Sequence, residues 1–312
     1  MHHGSRDKQQ HLGGLIWPQY DRIGAFHAGF LKAGLADFTL RHEEFRDSAA
    51  FLARKQKPFK YPIRSWYPSE IAQLVCRPAP ENRCADSLYA AIQGGYNARP
   101  HGHHDIGSYC IAVGDDAVEV MGDPGNVKYD LDTFGPKRFE NPMRNSFGHP
   151  VPRVDGYLQS GGMMSRAKVL SASFSDDRDF VEYDMKEVYR DATNLVSLTR
   201  SLEYLRSENR VVVTDKVAFR EAGMFETALT TLGGVQDLGG GLYRFVGMNG
   251  KTAALCKVSV KGAAWHMEQE KLPENAGSQI AELAKAKPLR AAIVLDEPVR
   301  EAEVKVAWHV VR

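Results

Sequence analysis

The chain has 312 residues, enough to bury one large core or two ordinary ones. Hydrophobic residues make up 43% and charged residues 25%, ordinary for a globular protein, and a formal net charge of +1 gives no global field for nucleic acid. A local basic groove for an acidic polymer is still compatible with that balance. No run of about 18 apolar residues is present, so no membrane-spanning helix is expected. The start, Met1 to His11, is polar and lacks the apolar centre of a signal peptide. The compartment is left open.

Residues 15–55 carry a helical signal. Ile23, Phe26, Phe30, Leu31 and Leu35 follow the spacing of an apolar stripe, and Gly34 marks a helix end. A second helix is expected from about Glu43 to Lys55, then a basic connector to Pro62. A short amphipathic piece from Ser69 to Val75 follows, and Pro78 and Pro80 close this helical part. From about Asp86 the texture changes to short β-type runs. They fall at 88–92, 106–113, 117–121, 166–174, 179–184, 195–205, 211–219, 225–232, 242–246, 252–260, 263–267, 290–295 and 304–311. Gly114-Asp115-Asp116 reads as a hairpin turn between two of them. Gln279 to Lys287 reads as a short helical or loop excursion. The expected fold is mainly β, a large antiparallel sandwich behind a short helical segment. The division expected is 1–80 for the helical segment and linker and 81–312 for the sandwich. The four cysteines, Cys76, Cys84, Cys110 and Cys256, show no CxxC spacing. Cys110 and Cys256 read as buried thiols, and a Cys76–Cys84 bridge is the weaker reading.

The chemistry concentrates in residues 94–105, GGYNARPHGHHD. His101, His103, His104 and Asp105 fall within five positions, behind two glycines and a proline that let the chain turn sharply. Imidazole beside carboxylate binds zinc or moves protons near neutral pH. In an extended segment His101 and His103 would share one face and His104 would take the other. Asp123, in Gly-Asp-Pro-Gly, returns towards this cluster when the hairpin folds at 114–116, and His149, in NSFGHPVP, joins it. Two imidazoles and a carboxylate would make a zinc site with a fourth place for water or a side chain. Two metal patterns fit poorly. The lactamase-type His-x-His-x-Asp-His fails at Ile106, and the cupin glutamate is replaced by Gly107 and Ser108.

A third pattern fits better. LYAAIQGGYNARPHGHHDIGSY, residues 88–109, resembles the signature of the heparinase II/III-like polysaccharide lyases. The similarity continues through GDPGNVKYDLDTFGPKRF and NSFGHPVPRVDGYLQSGG, and more weakly at SLTRSLEYL and VVVTDKVAF. The resemblance implies an (α/α) toroid before an antiparallel β-sandwich, with residues 15–75 as the toroid's last helices. It implies cleavage of a uronic-acid-containing polysaccharide, a glycosaminoglycan or alginate, by β-elimination. It places His101 in catalysis or on the uronate carboxylate, makes His103, Asp123 and His149 the zinc ligands, and sets Asn97 and Arg138 towards substrate. Phe139 stands where many relatives carry tyrosine, and Tyr96 where a histidine is expected. The toroid would supply the tyrosine and second histidine for proton transfer; Tyr96, Tyr109 and Tyr129 are candidate replacement acids, with packing or a surface hydroxyl the stronger reading. The alternative is a non-catalytic carbohydrate-binding or scaffold sandwich that keeps the zinc site. In either case a face left uncovered by the toroid would favour dimerisation.

Overall fold

The computed structural model describes residues 62–68, 71–99, 101–125, 133–273 and 287–310. The helices expected over 15–55, the connector to residue 61 and Tyr129 lie outside these residues. So does the excursion expected from Gln279, except for its last residue.

The described residues form strands joined by loops and 3-10 turns. In chain order the first strands are β1 (Arg64–Tyr67), β2 (Gln73–Cys76), β3 (Leu88–Gln93), β4 (Tyr96–Asn97), β5 (Tyr109–Val113), β6 (Val118–Met121), β7 (Pro152–Val154) and β8 (Gly162–Arg166). Then come β9 (Lys168–Phe174), β10 (Arg178–Asp184), β11 (Leu195–Leu205), β12 (Arg210–Gly223), β13 (Phe225–Thr231) and β14 (Gly234–Asp237). The last are β15 (Leu242–Val246), β16 (Ala253–Lys261), β17 (Trp265–Lys271), β18 (Leu289–Leu295) and β19 (Val299–His309). An eight-stranded sheet runs β14-β15-β16-β19-β12-β11-β10-β9. A five-stranded sheet runs β1-β2-β3-β5-β6, a four-stranded sheet runs β17-β18-β13-β7, and β4 pairs with β8. The ladders are antiparallel, which permits short turns between neighbours and one solvated face.

The sandwich follows from alternation. In β11, Leu198, Leu202 and Tyr204 are buried, and in β12 so are Val211, Val213 and Val217, while several residues between them meet solvent. These side chains share one core with Leu74, Leu88, Ile92 and Ile111 of the five-stranded sheet and with Phe225, Leu229, Ile293 and Leu295 of the four-stranded sheet. The five-stranded and four-stranded sheets adjoin where Gly122 N–H donates to the Thr230 carbonyl at 2.9 Å. Tyrosine hydroxyls bridge the layers: Tyr204 donates to the Leu88 carbonyl at 2.7 Å and Tyr183 to the Ala72 carbonyl at 2.6 Å. Cys76, Cys110 and Cys256 are buried free thiols and Cys84 is an exposed one.

The sheet region begins earlier than the sequence reading placed it. The piece expected to be amphipathic over 69–75 leads, where described, into strand β2, which is buried along its whole length and paired on both sides. Two-sided burial removes the alternation that would have marked a strand.

Tyr204→Phe removes one interlayer hydrogen bond without a large change in volume. It is expected to cost about 1 kcal/mol of unfolding free energy, read as a lower urea midpoint with an unchanged slope.

Candidate metal centre and its surroundings

Three irregular segments converge at one edge of the sandwich. The first is the turn between β4 and β5, which carries the histidine cluster. The second follows β6 and carries Asp123. The third is the 3-10 turn Ser146–Gly148, followed directly by His149 and then β7. Local chemistry shapes each. The Asn145 side chain caps its turn by accepting from Phe147 N–H at 2.9 Å. Gly148 is needed because a Cβ there would sit 2.3 Å from the Pro142 carbonyl oxygen. Asp123 Oδ1 accepts Gly125 N–H at 2.8 Å, an Asx turn that aims the carboxylate.

The histidine segment is not extended. His101 has a left-handed backbone, φ 60°, and Gly102 N–H closes a turn onto the Arg99 carbonyl at 2.9 Å. The shared face expected for His101 and His103 therefore does not form, and each imidazole has its own surroundings. His101 is exposed and meets the Phe134 ring edge-on at 5.0 Å. His103 tilts against the His149 ring at 5.2 Å. His104 is buried and stacks on Phe139 at 3.7 Å. Arg138 lies over Phe134 and Phe139, each at 5.3 Å, and donates to the Gly102 carbonyl at 2.9 Å. It thus braces the turn that carries His101.

Asp105, Asp123 and His149 bring one ligand atom each to within 4.8 Å of one another. His149 is fully buried, and its Nδ1 lies 3.3 Å from Asp123 Oδ2. Asp105 Oδ1 is held by Arg99 Nη2 at 3.3 Å. His103 flanks this trio through its contact with His149. Burial pushes the His103 pKa down to about 4, helped by His149 and opposed by Asp123 and Asp105, so its imidazole is neutral at neutral pH. A neutral imidazole, a buried imidazole and two carboxylates are a donor set suited to a divalent cation such as zinc. Of the ligands expected from sequence, Asp123 and His149 meet directly and His103 stands beside them. Asp105 was recognised only as a member of the histidine cluster, and its place in the trio follows from the turn.

Asn97 lies inside rather than on the surface. Its amide donates to Gln159 Oε1 at 3.0 Å and to the Ser160 carbonyl at 2.9 Å. Its Oδ1, like His104 Nε2, is buried without a hydrogen-bond partner among the described residues. Gln159 also clamps Ile106, accepting from its N–H at 3.1 Å and donating to its carbonyl at 2.7 Å.

Comparison with known proteins supports the architecture. No known family pattern matches the chain, and no curated protein aligns with it in sequence. Among solved structures it is similar to a heparinase III gene product, with a TM-score of 0.62, 11% identity and coverage of 82% of this chain and 37% of that one. Heparan sulfate lyase HepC from Pedobacter heparinus gives 0.62, 13%, 88% and 42%. A further heparinase III gives 0.57, 12%, 80% and 37%. These likenesses show a shared fold and a distant structural relationship. The chain spans about two fifths of the length of these proteins.

Burial also holds the His104 pKa at about 4. With chelator present, the unfolded chain takes up protons near the usual 6.5 while folded His103 and His104 do not until about 4. Stability should therefore fall as pH drops from 6.5 towards 4. His104→Gln should flatten part of that slope in urea titrations at successive pH values. An unchanged slope would contradict the burial of a neutral ring.

Proposed function

We propose that this chain is the β-sandwich part of a zinc-containing polysaccharide lyase that cleaves a uronic-acid polymer by β-elimination. The observation that carries the reading is the convergence of Asp105, Asp123 and His149, with His103 alongside, on the same short segment that carries the exposed, left-handed His101. Left-handed backbone at a non-glycine residue costs energy that packing must offset, and such strain gathers at functional sites. The fold likeness to heparan sulfate lyases supports the same reading.

The elimination needs three things: the uronate charge neutralised, the C5 proton removed, and a proton given to the leaving O4. Of the clustered histidines His101 is the one exposed to solvent, and we assign it to proton transfer or to the uronate carboxylate. Arg138 braces the turn beneath it and brings positive charge to the same rim. Asn97, which the resemblance sets towards substrate, is turned inward onto Gln159 and Ser160, and we assign it to bracing the β4 end of the histidine turn. His103, Asp123 and His149 would hold zinc, with Asp105 as the fourth donor in reach. Bound there, zinc supplies fixed positive charge and ties the three loops together. The tyrosine and second histidine that the resemblance places in a helical domain would complete the acid–base set.

The purified protein is expected to carry about one zinc per chain. His103→Ala should lose most of it and lower the melting temperature, because a structural metal contributes folding energy. Metal analysis with thermal melts, with and without chelator, decides this, and melting indifferent to both changes would contradict it.

Lyase chemistry is read from the ultraviolet absorbance of unsaturated uronate on a panel of heparin, chondroitin, hyaluronan and alginate. His101→Ala should retain zinc and fold while reducing turnover by about 10²-fold or more. If the wild type binds these polymers without any absorbance change, the non-catalytic sandwich replaces this reading. Loss of zinc in His101→Ala would exchange the roles of His101 and a ligand.

A further inference from the structure

We infer that Arg200 is the positioning residue of the metal centre, an inference that rests on the metal reading above. Arg200 sits on β11 and is 1% exposed. A guanidinium has five N–H donors in a fixed plane, and here each is used. Nε and Nη2 grip the two oxygens of Asp215, each at 2.7 Å. Nη2 also donates to Thr227 Oγ1 at 2.8 Å. Nη1 donates to two carbonyls at 2.8 Å each, those of Gly107 and Pro150.

Those two carbonyls matter for the site. Gly107 is two residues beyond Asp105, and Pro150 immediately follows His149. One nitrogen therefore ties together two of the three loops that carry the ligands, those of Asp105 and His149. Each segment is tied by backbone to its own sheet, Gly107 N–H to the Gln93 carbonyl of β3 at 2.8 Å and the Val151 carbonyl to Ala228 N–H of β13 at 3.3 Å, and Arg200 links the two directly. Gly107 can present its carbonyl here because it has no side chain. Its φ is +84°, and a Cβ would lie 2.7 Å from Met185 Cε. Asp215 holds the guanidinium plane through the cross-strand pair Arg200↔Asp215 of β11 and β12. The eight-stranded sheet thus joins, through one planar group, the loops of Asp105 and His149 at a fixed separation. A lysine could reach one carbonyl but could not hold both at fixed angles.

A second buried arginine supplies the comparison. Arg206 also grips a buried aspartate, Asp179, and donates to the Arg77 and Ile63 carbonyls at 2.9 Å each. Its bonds go to none of the three ligand loops. Arg200→Lys and Arg206→Lys should therefore both lower the melting temperature, but they should differ in metal binding.

The test uses the full chain and zinc alone, with affinity read by competition with a chromophoric chelator. Arg200→Lys, confirmed folded by a cooperative urea transition, should bind zinc about 10- to 100-fold more weakly. Arg206→Lys should bind it as the wild type does. The visible absorption of cobalt(II) in the site should change in Arg200→Lys and not in Arg206→Lys, which a purely structural role for Arg200 would not produce. The double variant Arg200→Met with Asp215→Leu removes both buried charges together and keeps apolar volume, so it offers a second folded route to the same loss. Wild-type affinity and cobalt spectrum in the folded Arg200 variants would overturn the inference. If both variants unfold, the wild type decides. The Arg200 side-chain N–H signals should shift on zinc titration while those of Arg206 stay still, and unmoved Arg200 signals would overturn it. A wild type that binds no zinc overturns the metal reading itself, a separate result.

Discussion

A guanidinium buried between sheets must have every donor satisfied, and around Arg200 that requirement organises the molecule. Its bonds reach the eight-stranded sheet through Asp215, the four-stranded sheet through Thr227, and two loops through Gly107 and Pro150. A buried ion pair is weak evidence for stability, because desolvation offsets much of the attraction. What it supplies here is registry. Any other arrangement of these loops would leave a buried N–H or carbonyl unpaired, and that is expensive. Gln159 repeats the device one residue away, holding both backbone groups of Ile106 and the amide of Asn97. Arg290 gives the His149 loop a second hold, donating to the Phe147 carbonyl at 2.9 Å and lying over the Phe147 ring at 4.2 Å.

The site inherits its character from this polar scaffold. Three neighbouring histidines end in three environments because the turn at His101 rotates each side chain away from the next. His101 is left in solvent beside Phe134, His103 is set against His149, and His104 is sealed under Phe139. One short segment thereby offers a group open to substrate, a neutral metal donor and a packing residue. The two carboxylates enter from different sides, Asp105 steadied by Arg99 and Asp123 by its own Asx turn.

Much of the sandwich was legible in the residues. The alternating runs at 195–205 and 242–246 are strands with those limits. The short strands at Arg64–Tyr67, Gln73–Cys76 and Pro152–Val154 carried no periodic signal. They are fixed by pairing with distant partners, and β-propensity mostly reports such context. At the site, the convergence of Asp123 and His149 could be anticipated from the hairpin and the motif order, whereas the turn at His101 could not, since a left-handed non-glycine residue is imposed by its surroundings. Arg200 and Asp215 did leave a trace. Each occupies an inward position in its strand, Arg200 between Leu198 and Leu202 and Asp215 between Val213 and Val217. A charge on the apolar face of one strand, matched by the opposite charge on the next run, is the pattern of a buried pair.

The central claim is that these loops are held where one metal ion fits. The direct measurement is anomalous diffraction at the zinc edge from crystals of the purified protein. The account predicts a single strong peak at about 2.0–2.2 Å from ligand atoms of His103, Asp123 and His149, with Arg200 still bonded to the Gly107 and Pro150 carbonyls. A crystal soaked in zinc with no peak there, or with its peak at other residues, would contradict it.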